Sequence, residues 1–191
     1  MALRIKYNAP IILSFSFLCV GVYFLDYLTP GSGLIHLFAV GSTLDLGNPF
    51  SIAGLFTHPL GHANLEHLLG NLTFILLLGP IAEEKYGSRG ILTMILITAL
   101  ITGLLNVFLF DTGLLGASGI VFMLILLVSF TNVKTGEIPV SFVLVAMLFI
   151  GKEVMNSFQP DHISQFAHII GGVCGSIFGF TGLGNSTSTL K

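Results

Sequence analysis

Charge is what this sequence has least of. Of its 191 residues seven are Lys or Arg and nine are Asp or Glu, so 8% are charged, where a soluble domain carries about 25%. So few charges cannot give a globule of this size a wettable surface. The same shortage excludes a nucleic-acid-binding protein, which sets clustered Lys and Arg against phosphates. Cysteine is nearly absent too: Cys19 and Cys174 each sit inside an apolar run, which excludes a disulfide scaffold. What remains is 53% hydrophobic with a mean hydropathy of +0.95. The solvent that fits this composition is a lipid bilayer.

A membrane crossing needs about 20 apolar residues, and six runs approach that length. They are Pro10–Leu28, Leu65–Ala82 (stopped by Glu83-Glu84-Lys85), Gly90–Phe110, Gly116–Thr131, Pro139–Ile150 running on to about Asn156, and Ile163–Thr181. The expectation is an all-α membrane protein, a single domain over residues 1–191 with six transmembrane helices. Pro30–Asn64 reads as a long loop whose apolar patch, Leu34–Val40, is too short to span and should lie re-entrant or along the surface. Basic residues concentrate on cytoplasmic loops. With a cytoplasmic amino terminus, Arg4, Lys6, Lys85, Arg89, Lys134 and Lys191 fall inside and only Lys152 outside. Both termini are therefore expected inside, and the Pro30–Asn64 loop outside. Arg4 and Lys6 could also open a signal peptide, but no convincing small-x-small site follows Val22–Leu28, which favours an uncleaved first span. With polar tails of only about nine residues at each end, no separate soluble domain is expected.

Strongly polar residues inside a span are functional candidates by default. The second run holds His67 and Asn71, four apart and so on one helical face. The fourth begins Gly116-Ala117-Ser118-Gly119, and the sixth holds His168. All three runs head from outside to inside. At about 1.5 Å per residue, His67, Ser118 and His168 each lie roughly 20 Å from the inner end of their run. A serine, two histidines and an asparagine from three helices thus share one layer beneath the outer surface. The fourth run is short, so its helix begins inside the membrane, and the preceding backbone must be buried in protein or line a wet cavity. Ser118 then stands at a helix amino terminus, where free N–H groups and the positive dipole end suit a nucleophile whose attack creates an oxyanion.

At these residues the chain resembles the rhomboids, a family of intramembrane serine proteases. The matching pieces are His62-Ala63-Asn64-Leu65-Glu66-His67-Leu68-Leu69-Gly70-Asn71, Gly116-Ala117-Ser118-Gly119, and Ala167-His168-Ile169-Ile170-Gly171 followed by Gly175. Glu84-Lys85-Tyr86-Gly87-Ser88 also resembles the family, and the likeness runs from about Leu55 to Gly179. It implies a six-helix rhomboid-like bundle with a long first extracytoplasmic loop, and a Ser–His dyad with no aspartate, no cofactor and no metal. Ser118 would be the nucleophile and His168 its base; His67 and Asn71 would donate to the oxyanion with the Ser118 N–H. No Asp or Glu lies mid-span to complete a triad. Rhomboids often carry a Trp-Arg pair in the first loop, at positions held here by Ala53 and Gly54, and this chain has no Trp. Many also have a tyrosine four residues after the nucleophile; here it is Phe122, whose ring can stack on the imidazole. Substrates would be transmembrane proteins within the bilayer, cut near their outer ends, reaching the site past a mobile fifth helix that carries Phe142, Phe149 and Gly151.

Other readings are weaker. Gly171, Gly175 and Gly179 form a small-residue stripe that reads as helix packing. His58, His62 and His67 suggest a metal, but no zinc-protease spacing is present; His62 reads instead as hydrating the site's entrance. Asp111-Thr112-Gly113 mimics an aspartic-protease triplet without a second aspartate, and reads as a turn. Asn71-Leu72-Thr73 and Asn185-Ser186-Thr187 match glycosylation acceptors, but the first is expected buried and the second cytoplasmic. Two other functions stay open at this stage: an inactive relative that binds membrane clients, and a small transporter. Both Ser118 and His168 being present argues against the first; the lack of mid-span acids and of repeated halves argues against the second.

Overall fold

Proline has no N–H to donate and a φ already near the helical value, so it suits the first turn of a helix. The chain opens two helices that way, at Pro10 and Pro49. The computed structural model describes residues 6–129, 138–156 and 162–181. Arg4, Lys134, Lys191 and Asn185, named above, lie outside the described residues, as do the side chains of Phe149 and Lys152. Among the described residues six α-helical spans follow one another: α1 (Pro10–Leu28), α2 (Pro49–Thr57), α3 (Leu65–Leu109), α4 (Ser118–Val128), α5 (Val140–Asn156) and α6 (His162–Thr181). Two short 3-10 turns, Leu34–Phe38 and His58–Leu60, complete the set. Among the described residues the only β pairing is an isolated bridge between Val40 and Leu114.

The second and third apolar runs, expected as separate helices, are two helices that meet at a kink at Gly87 and are numbered together as α3. At 45 residues a straight helix would be about 67 Å long, over twice the thickness of a bilayer core. It does not run straight. Gly87 takes φ 72° and ψ 159°, a conformation open to glycine and strained for other residues. The chain turns back there: His58 bonds to Ala99 while His62, four residues on, bonds to Asn71. Asn71 and Ala99 therefore lie at one level on two antiparallel halves. The charged residues 83–85 and 89 flank the kink where the first of the two helices ends, about one turn later than the apolar run.

Beside the bend, Glu83 ties α1 to α3. Its buried carboxylate accepts from the Ile11 and Ile12 N–H groups, both at 3.0 Å, and from the Ser88 hydroxyl at 2.7 Å. These N–H groups open α1 and have no partner within their own helix, and a carboxylate there also meets the positive end of the helix dipole. One turn earlier on α3, Gly79 lets Ile12 lie directly on the helix backbone, where a Cβ would fall 2.7 Å from the isoleucine methyls.

On the other side of the core, α6 packs on α4 through glycine. A side chain at Gly171 would collide with the backbone of Gly119, and one at Gly175 with that of Met123. Ile12, Ile75, Tyr86, Ile91, Met123 and Leu127 fill the shared core. The outward faces stay apolar: Phe108 is 74% and Leu148 75% exposed, and Phe17, Leu28 and Leu77 are exposed as well. Such a surface is a liability in water. Among the described residues two helical spans, α1 and α3, are long and apolar enough to cross a membrane by length and composition.

The Pro30–Asn64 segment holds more structure than its apolar patch suggests. Asn48 caps α2 through its side chain, accepting from the Phe50 N–H at 3.0 Å. Gly54 and Gly61 press against the backbone of Ala39 and Phe38, so the segment folds on itself.

Candidate active site

The backbone before α4 sets the position of Ser118. Thr112 to Gly116 is irregular, yet its polar groups find partners. Leu114 exchanges both backbone hydrogen bonds with Val40, at 2.8 and 2.9 Å. The Thr112 carbonyl accepts from the Asn106 amide at 2.9 Å, and the Gly116 N–H donates to the His58 carbonyl at 2.9 Å. Irregular backbone at membrane depth needs such partners. Gly116 has φ 117°, where an L side chain is strained, and the chain then enters α4 at Ser118. The first N–H groups of that helix have no helical partner and lie where its dipole is positive.

His168 reaches this place because α6 lies so close to α4. Gly171 sits on Gly119, and a Cβ on Gly119 would lie 3.4 Å from the Ala167 carbonyl oxygen. His168 is between those two contacts. Its ring lies beside that of Phe122, with centroids 4.3 Å apart and planes at 36°. Phe122 follows Ser118 by four residues and so rises from the same face of α4.

The third contributor is the first turn of α3. Asn64 caps it, its side chain accepting from the His67 N–H at 2.8 Å. The His67 ring then lies against Gly116, so close that a Cβ there would fall 2.8 Å from Nε2. One turn further, the Asn71 amide nitrogen is 3.0 Å from His62 Nε2.

These residues line one cavity of about 780 Å³. Ser118, His168, His67 and Asn71 supply its polar wall, and Phe122, Phe74, Val121 and Ile125 its apolar one. A serine hydroxyl, two imidazoles and a carboxamide around a helix amino terminus can together attack an acyl carbon and hold the charge that results. Glu66 also lines the cavity and is the charged residue among its walls. The sequence did not single it out, because an acid in the first turn of a helix reads as ordinary capping.

His62 departs from expectation. It was read as hydrating the entrance, but it is 2% exposed and does not line the cavity. Its Nδ1 is 3.2 Å from the Leu60 carbonyl, and its ring meets that of His67 edge-on at 5.0 Å. Burial, with the neighbouring His67 adding to it, pushes the His62 imidazole down to about 4 against the opposing pull of the Leu60 carbonyl. His58 is likewise buried, its Nε2 at 3.2 Å from the Ala99 carbonyl, and burial pushes it down to about 4. Both rings are neutral at pH 7.

The missing Trp-Arg pair has a local explanation. At Gly54 any side chain would meet the Ala39 carbonyl carbon and oxygen, the latter 2.6 Å from a Cβ. In this chain α2 packs there by backbone, leaving no room for an arginine.

A family model described as the rhomboid domain matches residues 49–185. The chain is also similar to rhomboid protease GlpG of Haemophilus influenzae, with 25% identity over 127 residues, which is 65% of this chain and 66% of that protein. The match thus spans just under two thirds of the relative's length.

Proposed function

This chain belongs to the rhomboid family, and from that premise we propose that it is an intramembrane serine endopeptidase cutting transmembrane proteins near the outer ends of their helices. The observation that carries the proposal is the meeting of Ser118, His168, His67 and Asn71 on one cavity at the amino terminus of α4.

The chemistry uses two residues to move atoms and three groups to hold charge. His168 takes the proton from the Ser118 hydroxyl as the oxygen attacks the scissile carbonyl carbon. The carbonyl oxygen becomes an oxyanion and accepts hydrogen bonds from the Ser118 N–H, the Asn71 amide and a His67 ring N–H. As the tetrahedral species collapses, His168 gives the proton to the departing amine, leaving an acyl-serine. Water, activated by the same imidazole, then releases the second product. Phe122 keeps the His168 ring in plane for both transfers.

The topology proposed with this function is six crossings, with α3 supplying two on either side of Gly87. The termini face the cytoplasm and the cavity opens to the other side. Both α1 and α3 are long and apolar enough for this. A helical peptide bond is shielded by its own hydrogen bonding, so substrates with Gly, Pro or polar residues near the cut should be preferred. Access is lateral, beside α5, which exposes Val140, Leu144, Met147 and Leu148 and meets α6 through Phe142 on Phe180.

The test is cleavage of a model transmembrane substrate in proteoliposomes. Ser118→Ala and His168→Ala should each abolish it, and a fluorophosphonate should label wild type but not Ser118→Ala. Cleavage that survives either substitution overturns the dyad. A folded wild-type protein that neither cuts nor labels points to client binding without proteolysis.

A further inference from the structure

An asparagine amide offers N–H groups at one end and a carbonyl at the other, and the two ends occupy nearly the same space. An oxyanion can use only the N–H end. With the amide turned over, the Asn71 carbonyl would face the developing negative charge and oppose it. Something must therefore fix which way the amide points.

The chain of donors and acceptors leading to Asn71 begins at a backbone carbonyl. Leu60 O can only accept, and it lies 3.2 Å from His62 Nδ1, so the ring proton sits on Nδ1. A neutral imidazole then carries a bare lone pair on Nε2. That lone pair lies 3.0 Å from the Asn71 amide and takes only a donor. Asn71 must turn its nitrogen toward His62, which uses one N–H and leaves the second for the cavity that Asn71 lines. We propose that His62, which touches no substrate, is a positioning residue for the oxyanion site: it holds the Asn71 amide with its N–H end toward the reacting carbonyl. This rests on the protease reading above.

Two further features support that role. The ring is 2% exposed and its ionisation is pushed down to about 4, so the lone pair is present at neutral pH. The edge-on contact with His67 at 5.0 Å holds the ring plane, so the two proposed side-chain donors to the oxyanion lean on one buried imidazole.

The experiment measures kcat and KM separately for cleavage of a model transmembrane substrate in proteoliposomes. Glutamine can place a carbonyl oxygen where Nε2 stands; asparagine reaches only the Nδ1 position. His62→Gln should retain kcat within about threefold. His62→Asn and His62→Leu should lower kcat by about 100-fold or more, with KM changed less than about twofold, as for loss of one oxyanion donor. Asn71→Ala should show a similar loss, and His62→Leu added to it should cost nothing more. Equal kcat for the Gln and Asn variants overturns the proposal, as does a His62→Leu effect that multiplies with that of Asn71→Ala. Should His62→Leu fail to fold, the Gln–Asn contrast decides alone. Wild type that neither cleaves nor takes a fluorophosphonate on Ser118 refutes the protease reading, and the proposal falls with it; cleaving wild type with an indifferent His62 refutes only the proposal.

Discussion

At the residue scale, Gly116 meets two demands that no residue with a side chain meets together. It holds φ 117°, and its missing Cβ leaves the space that the His67 ring fills. Gly116→Ala should therefore push His67 off the site and tilt the turn that presents Ser118. We expect kcat/KM to fall by about 100-fold or more, the cost of disturbing an oxyanion donor. Strain at this backbone conformation should lower stability by about 1–2 kcal/mol. Cleavage rates and thermal unfolding of the same variant check both, and near-normal cleavage would refute the placement of His67. Glu66 carries a different prediction. As the charge on the cavity wall, it should favour substrates with Lys over Glu just outside the cut. Because Glu66 is exposed, the preference should be at most about fivefold in kcat/KM and should shrink in high salt. Glu66→Lys should reverse it; a preference indifferent to that reversal would refute the electrostatic role. The polar wall of the cavity was legible in the sequence because Ser118, His67, Asn71 and His168 are polar residues inside apolar runs, and counting from the run ends gives them one depth. His62 was misread, since the bond from a loop back to a helix nine residues on leaves no periodic trace.

At the element scale, Glu83 is where one side chain holds two helices. Removing it leaves the buried Ile12 N–H and the part-buried Ile11 N–H and Ser88 hydroxyl without their acceptor. Hydrogen bonds to a charged group are worth about 1.5–3 kcal/mol, and a buried orphan donor costs about 1–3. Glu83→Ala should accordingly lower stability by about 3 kcal/mol, read as an earlier thermal transition in detergent, with α1 the first region to lose amide protection. Uniform protection across the helices would argue that Glu83 is not a local tie. The same carboxylate explains a difference between sequence and structure. Glu83-Glu84-Lys85 reads as a stop for an apolar run, yet Glu83 is buried and the helix continues to Gly87. Charge marks a boundary only when it must face solvent, and this one has three donors instead. The run Pro10–Leu28, by contrast, has a proline to open it and uniform apolarity, and its helix has those same ends. The nine-residue α2 was invisible because it is too short to establish a helical period. Gly171 and Gly175 of α6 were legible as packing positions by their four-residue spacing, although their partners, Gly119 and Met123, were not.

At the scale of the whole molecule, the described basic residues keep to one end. Lys6, Lys85 and Arg89 gather where the start of α1 meets the bend of α3, as the Glu83 contact requires. Asp26, Glu66 and Asp111 stand at the opposite ends of those helices, toward the cavity. Near the cavity end, two buried imidazoles, His58 and His62, make stability depend on pH. Each has a folded-state value of about 4 against an ordinary 6.5. Between these limits the unfolded chain binds a proton that the folded chain refuses, so stability rises with pH across that window. It is fully present above about 6.5 and falls away as the pH drops toward 4. Each ring should remove about 2 kcal/mol between pH 7 and pH 5, giving a marked fall in the thermal transition in detergent over a range where most carboxylates stay ionised. His62→Gln, which cannot take up a proton there, should remove roughly half of that dependence while retaining the bond to Asn71. A transition temperature that does not change between pH 7 and pH 5 would mean that both rings find water when charged. The loop carrying them would then be open at the cavity end, and the Leu60–His62–Asn71 chain could not hold an amide in place.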